Sequence, residues 1–488
     1  MIKTQPALFL GIDLGTSGVR VLAATASGEV AARTSVALAK AAGGQQAGRH
    51  EQAPASWWTA VCEATQQMMQ DLGGQGISAD VLQALAVDGT SGTLVCVDAG
   101  GTPLRPALMY NDGRATDEAA TINAVAGSFC AKLGYRFSAS YALAKALWIL
   151  HHEPAVFEQT TRFLHQADLV AGRLTGRFDV SDYSNALKMG YDLHEETWPA
   201  WPARWAGVTE RLPEVVPPGT CIGTVTPQAA QETGLPAGLP IIAGATDGVA
   251  SCIASGVRKP GDYNTTLGTT LVFKSISKTL CTDPKGRIYS HKLPGGVWLP
   301  GGASNTGAAW IPAWFAGADP AALDTQAAGL LPTTDLAYPL VGRGERFPFL
   351  HAAAEGFVMP ETEGPERYAA CLQGTALVER LGYAVLDALT GHTHGAVYST
   401  GGGSRSDVWM QCRADACGRL FHRPACPEAA MGAAILAASG TALGSLDAAM
   451  QSMTQIARTF APQPDRTAAY DAAYQRFLAA LKEKGYGL

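Results

Sequence analysis

The stretch Leu8-Phe9-Leu10-Gly11-Ile12-Asp13-Leu14-Gly15-Thr16-Ser17-Gly18-Val19-Arg20 joins two apolar runs through a turn that carries no bulky side chain. Residues 8–13 read as a strand and 19–24 as its partner. Residues 30–36 follow as a third strand across a second turn, Ala26-Ser27-Gly28-Glu29. Apolar runs punctuated by tight glycine turns predict a β-meander. The first turn also has a chemistry. Its unshielded backbone N–H groups can cradle phosphate oxygens. Thr16 and Ser17 add hydroxyl donors, and Arg20 adds a planar guanidinium fork. Asp13, at the strand end, is placed to hold Mg²⁺ through water, because Mg²⁺ keeps much of its hydration shell. Taken alone, the same residues also suit an ordinary hairpin entered by an aspartate.

Working outward, Ser56 is expected to cap a helix through Trp57, Trp58 and Val61 to about residue 72. Residues 82–88 read as a buried strand, followed by Asp88-Gly89-Thr90-Ser91-Gly92 and a strand at 94–97. A helix is predicted at 142–151, where Leu143, Leu147 and Leu150 share a face. Residues 198–219, rich in Trp and Pro, read as irregular surface. Residues 240–245 form a strand that ends in Thr246-Asp247-Gly248, with a helix at 249–255. Lys259-Pro260, within 256–261, marks a natural domain junction. The second half then repeats the plan: strand 263–267, turn Gly268-Thr269-Thr270, strand 271–275. Leu14-Gly15-Thr16 and Leu267-Gly268-Thr269 occupy matching places, which suggests an internal duplication. A helix at 367–389, a strand at 395–399, the loop Gly401-Gly402-Gly403-Ser404, a helix at 407–417 and a closing helix at 468–484 complete the reading.

Neither G-x-G-x-x-G nor G-x-x-x-x-G-K-[ST] accounts for a phosphate site here, and the first turn returns to a strand rather than opening a helix. Two Gly-Thr turns, one per half, could instead grip a polyphosphate from two sides. Asp247 follows an apolar strand and precedes a small-residue helix, where α/β crevices form. A carboxylate there either caps the helix or takes a hydroxyl proton as the attacking oxygen meets a γ-phosphoryl group. Beside the paired turns, the second reading is preferred. The glycines at 401–403 suit a flat adenine against the backbone, or a turn with unusual dihedrals. Asp88-Gly89-Thr90-Ser91 and Tyr110-Asn111-Asp112 offer groups suited to a polyol, or turns whose side chains bond to their own backbone. His165-Gln166-Ala167-Asp168 reads as a structural network rather than a site.

Composition bounds the remaining classes. With 488 residues, 47% hydrophobic and 55 Gly, the chain is expected to form two α/β domains. A net charge of -6 argues against nucleic acid as a main partner. The first ten residues make a poor signal peptide and no apolar run reaches membrane-spanning length, so a cytoplasmic protein with no membrane partner is expected. The ten scattered cysteines lack zinc-site spacing and are read as free thiols.

In their order and spacing these segments resemble the FGGY carbohydrate kinases, part of the sugar kinase/Hsp70/actin superfamily. The resemblance rests on G-I-D-L-G-T-S at 11–17, E-Q-x-P-x-x-W-W at 51–58, Y-N-D-G-R at 110–114 and S-D-Y-S-N-A at 181–186. It continues through G-A-T-D-G at 244–248, L-G-T-T at 267–270, G-G-A-S-N-T-G at 301–307 and T-G-G-G-S-R-S-D-V-W at 400–409. It implies two actin-like, ribonuclease-H-like α/β domains, 1–256 and 257–488, around a central cleft. The first would bind sugar and carry the first phosphate segment; the second would bind nucleotide. It implies Asp247 as catalytic base and Asp13 as the Mg²⁺-associated aspartate. Gly15, Thr16, Ser17 and Arg20 fall in the first phosphate segment, and Gly268 and Thr269 in the second. Gly307, Gly402 and Ser406 fall where ADP is contacted. Asp13, Thr90, Ser91, Asp247 and Gly248 are the expected sugar contacts, ATP and Mg²⁺ the cofactors, and a homodimer the expected assembly.

Two departures bear on substrate and signature. Xylulokinases usually carry a G-Q-M-H-G-like segment where this chain has Asp88-Gly89-Thr90-Ser91-Gly92, and glycerol kinases an Arg-Glu pair. Ala142 stands where the family signature near Lys145 prefers Pro, Ser or Thr. The D-G-T-S segment is similar to D-ribulose kinases, so phosphorylation of D-ribulose is the first expectation and of D-xylulose the second. Another polyol kinase, an actin- or Hsp70-like ATPase and a non-catalytic sugar sensor are the rivals.

Overall fold

The structure, a computed structural model, describes residues 5–38 and 48–487. The chain forms two compact units. Unit 1 comprises the residues up to Ala254, with His291–Gly296 and Cys426–Thr454. Unit 2 comprises Ser255–Ser290, Val297–Ala425 and the residues from Gln455 onward. The first switch falls close to the expected junction. The return of 426–454 to unit 1 has no counterpart in a linear division of the chain at 256/257.

In unit 1 the expected meander is β1 (Leu8–Leu14), β2 (Gly18–Thr25) and β3 (Val30–Ala37). It continues with β4 (Leu82–Gly89), β5 (Cys221–Thr224) and β6 (Pro240–Ile242) into a six-stranded sheet of order β5-β6-β4-β1-β2-β3. β1–β2 and β2–β3 are antiparallel, while β1–β4 and β4–β6 are parallel. β6 stops at Ile242, short of the expected 245, and pairing resumes only as an isolated bridge between Gly89 and Thr246.

Helix α1 (Pro54–Gly74) buries Trp57, Val61, Ala64, Met68 and Leu72, a stripe at helical spacing, in one core with Leu10, Ile12 and Val21. It starts two residues before the expected cap. Pro54 has no N–H to satisfy and a φ already set for a helix, so it opens the first turn. Ser56 instead donates its hydroxyl back to the Ala53 carbonyl at 2.7 Å. Helices α2 (Ala142–His152), α3 (Gln166–Thr175), α4 (Tyr183–Ala186) and α5 (Asp247–Ala254) follow.

In unit 2 the same plan recurs with β7 (Tyr263–Leu267), β8 (Leu271–Ser275), β9 (Val297–Ser304), β10 (Val397–Thr400) and β11 (Phe421–Pro424). Their order is β9-β8-β7-β10-β11. Two antiparallel pairings are again followed by two parallel ones. The duplication suggested by the repeated Leu-Gly-Thr is therefore a duplication of topology. Helix α6 (Gly364–Thr390) and helix α7 (Asp407–Cys417) cover this sheet.

Helix α8 (Ala429–Ser439) is the part of 426–454 that completes unit 1. All eleven of its residues are buried. A Cβ on Gly11 of β1 would lie 1.8 Å from the Ala430 carbonyl oxygen. One on Gly432 would lie 1.9 Å from the Ala250 carbonyl oxygen. Strand, helix and helix thus meet backbone to backbone, which small residues alone allow. Among the described residues no helix is long and apolar enough to cross a membrane, and all ten cysteines are free.

Candidate active site

In unit 1 three aspartates gather where parallel strands end, the position at which α/β sheets place ligands. Asp13 of β1 is the register partner of Asp88 of β4. The Gly89–Thr246 bridge brings Asp247, at the head of α5, beside them. Arg20, expected at a phosphate, is opposite Asp13 across the hairpin and donates to its Oδ2 at 2.8 Å. The turn between them is closed by Gly15 N–H to Gly18 O at 3.0 Å, and it leaves Thr16 and Ser17 exposed.

Asp88 is fully buried, and no N–H or hydroxyl group donates to either of its oxygens. Burial first, then the negative charges of Asp13 and Asp247, hold its carboxyl well above the usual range. A hydrogen bond with the neighbouring Asp13 side chain pushes the same way.

Asp247 is the first residue of α5. The Thr246 carbonyl takes the N–H groups of Val249 and Ala250, so Thr246 is the residue in front of the first turn. Thr246 is in turn fixed by Ser184 of α4, through an Oγ–Oγ1 contact of 3.0 Å and a backbone bond of 3.2 Å. Asp247 is half-buried, and its Oδ1 accepts the Gly248 N–H at 2.6 Å.

Of the two hydroxyls expected at the sugar, Thr90 is engaged. Its Oγ1 bonds to Gln166 Oε1 at 2.6 Å and to Thr93 Oγ1 at 2.7 Å, and its N–H donates to the same Gln166 oxygen at 3.0 Å. Ser91 Oγ is buried with no partner, as are Gln166 Nε2 and Asn185 Oδ1. Each orphaned buried group costs about 1–3 kcal/mol. The turn that follows is held by Lys145, fully buried, which donates to the Gly92 carbonyl at 3.0 Å. Burial pushes its amine down to about 7.

His165-Gln166-Ala167-Asp168 forms a network, as expected. Asp168 accepts the His165 N–H at 2.8 Å and the Ser181 hydroxyl at 3.0 Å. Burial, then the charge of Asp182, pushes the Asp168 carboxyl up to about 8. An unfolded aspartate loses its proton near pH 3.9. Between about pH 4 and pH 8 the unfolded chain therefore binds fewer protons here, and this group's contribution to stability is lost as pH rises. Tm is expected to fall between about pH 5 and pH 8, and to fall less steeply in Asp168→Asn. Parallel curves in a thermal-unfolding series would show that Asp168 stays ionised in the fold. Asp112 of the Tyr110-Asn111-Asp112 segment is structural: its oxygens take Arg114 and the His50 N–H.

In unit 2 the turn after β7 is closed by Gly268 N–H to Thr270 O at 3.0 Å and is packed by Ala308 N–H to Gly268 O at 2.8 Å. A Cβ on Gly307 would meet the Thr269 oxygen at 2.5 Å. Gly401, at φ 85°, sits against the Leu267 carbonyl, and Gly402 faces open space. Ser406 caps α7 by accepting the Trp409 N–H at 3.0 Å. Gly268, Thr269 and Gly307 thus pack together at the end of β7, with Gly401 against Leu267 on the same strand. Glu345, which no local pattern singled out, anchors the 304–307 segment by accepting from Ser304, Thr306, Tyr338 and the Asn305 N–H. Among the described residues no group of three or more His, Cys, Asp or Glu is placed to hold a metal ion.

Residues 8–254 match the N-terminal domain of the FGGY family of carbohydrate kinases, and residues 263–441 match its C-terminal domain. The chain belongs to the FGGY carbohydrate kinases. This FGGY kinase is 29% identical to the xylulose kinase of Escherichia coli K12 over 84% of the chain and 85% of that protein. It is 26% identical to the autoinducer-2 kinase of Salmonella choleraesuis over 97% of the chain and 94% of that protein. Among solved structures, a xylulose kinase from Rhodospirillum rubrum superposes with a TM-score of 0.85 at 28% identity, covering 98% of each chain. A protein described as a xyloylose kinase from Brucella ovis superposes with a TM-score of 0.88 at 27% identity, over 98% and 99%.

Proposed function

We propose that this FGGY kinase moves the γ-phosphoryl group of MgATP to a hydroxyl of a ketopentose. The observation that carries the reading is Asp247, heading α5 at the strand ends beside Asp13 and beside unpaired buried polar groups suited to a polyol. Asp247 takes the proton of the attacking hydroxyl as the new O–P bond forms and the bond from the γ-phosphorus to the bridging oxygen breaks, releasing ADP. In unit 1 the turn residues Thr16 and Ser17 offer N–H and hydroxyl groups to phosphate oxygens, in unit 2 Thr269 does likewise, and the open face at Gly402 supplies room for adenine. Mg²⁺ bound with the nucleotide would neutralise charge on the phosphates. Asp13, half of whose carboxylate pairs with Arg20, would hold it through water, since Mg²⁺ keeps much of its hydration shell.

Names of relatives support D-xylulose as the sugar, ahead of the D-ribulose first expected from the D-G-T-S segment. D-ribulose remains the second reading, on the D-G-T-S segment, whose Ser91 hydroxyl is buried without a partner. ADP release measured with MgATP and D-xylulose, D-ribulose, L-ribulose, ribitol or glycerol decides between them. A tenfold advantage in kcat/KM, about 1.4 kcal/mol, for either ketopentose names the substrate. Stimulation by none of the five would overturn the reading.

A further inference from the structure

We propose that Gln166 is a sugar-binding residue whose side-chain amide N–H group takes a substrate hydroxyl and helps determine which sugar is accepted. The inference rests on the proposed sugar-kinase reading and assigns a residue within that site. Gln166 is the first residue of α3 and is fully buried. Its Oε1 accepts both the N–H and the hydroxyl of Thr90. Two donors converging on one atom fix the amide orientation, because a reversed amide would set N–H against N–H. The Nε2 group is therefore committed to the opposite end, where it has no protein acceptor.

The neighbourhood is orphaned in a complementary way. Gly89 joins the strand end to the helix start: a Cβ there would meet Ala167 N at 3.2 Å and Gln166 Cβ at 3.4 Å. On either side of Gly89-Thr90, the Ser91 hydroxyl is buried and unpaired, and both oxygens of Asp88 are buried with no N–H or hydroxyl donor, beside the Asp13 carboxyl. Free donors and free acceptors share this strand end without satisfying one another. Native proteins keep few such groups, and each one calls for an explanation. A hydroxyl donates and accepts at once, and a sugar presents several at fixed spacing. A site that hydrogen-bonds a particular hydroxyl discriminates strongly against an analogue lacking it, because its own buried groups are then left unpaired.

The test uses the full chain, its best sugar from the panel above, and the deoxy analogues of that sugar. Gln166→Glu keeps an oxygen for Thr90 and removes the amide donors; Gln166→Leu removes both. Each is expected to lower kcat/KM for the sugar about tenfold to hundredfold, chiefly through the sugar's KM, with the KM for ATP within about twofold. The penalty for deleting one particular hydroxyl, large in wild type, is expected to vanish in both variants, the signature of a direct contact in a double-mutant cycle. An equal loss on all analogues, with no coupling to any hydroxyl, would overturn the proposal and leave Gln166 as an anchor for Thr90. So would unchanged sugar kinetics in a folded variant. A best sugar outside the ketopentoses would overturn the substrate reading, while the coupling measured on that sugar would still decide the role of Gln166.

Discussion

Replacing Asp247 with asparagine is expected to lower kcat by about 10²–10⁴-fold, with Tm and the KM for ATP near wild type. Asparagine keeps the shape of the side chain and can still accept the Gly248 N–H through its oxygen. It cannot accept a proton from an attacking hydroxyl. Because Thr246 and Ser184 hold the start of α5, the helix does not depend on the charge. An interaction made only in the transition state lowers kcat and kcat/KM together. Steady-state assays at saturating ATP beside a thermal-unfolding scan make the comparison. Near-normal turnover in a folded variant would remove Asp247 from the role of base.

Arg413→Met is expected to destabilise unit 2 by about 3–5 kcal/mol. The Arg413 and Glu379 side chains are both wholly buried. Arg413 donates two parallel hydrogen bonds to Glu379, Nε to Oε2 at 2.6 Å and Nη2 to Oε1 at 2.7 Å, while its Nη1 donates to Ser399 Oγ at 2.6 Å. Glu379 also accepts the Tyr383 hydroxyl. Removing the arginine strands a carboxylate in an apolar core. Adding Glu379→Leu is expected to recover most of the loss, since a buried pair exchanged for apolar groups is often neutral. Urea-unfolding midpoints of the single and double variants report both effects. A loss under about 1 kcal/mol in the single variant would mean that water reaches the pair.

The features legible in the sequence were those coded locally. Apolar runs around Gly15–Gly18 and Gly268–Thr270 announced two hairpins, and the structure extends that likeness to a shared run of strand pairings in a six-stranded and a seven-stranded sheet. Asp13 and Asp247 stood out because each ends an apolar run. The family is likewise the one the motifs resemble. Other properties depended on distant partners. Ala429–Ser439 is apolar on every side, so no periodicity said which sheet it would cover. Gln166 looked structural, and its Thr90 bonds are structural. Only the complete hydrogen-bond pattern shows an amide with one end in use and the other without a partner. Glu345 supports its loop from about forty residues away, beyond the reach of any local pattern. The sugar was read from a single segment, and the relatives' names point to a different pentulose.

The late arrival of α8 in unit 1 has a consequence for how the protein is made. Chains emerge from the ribosome at about 5–20 residues per second, and N-terminal domains generally fold first. Here the roughly 185 residues between Ala254 and Ser439 must follow before the first unit can close, a delay of about 10–40 s. Until then the backbone of β1 at Gly11 and of α5 at Ala250 lacks the helix that will lie against it. The nascent first unit therefore carries an open apolar face through synthesis of most of the second, and a fragment ending near residue 254 would keep that face permanently.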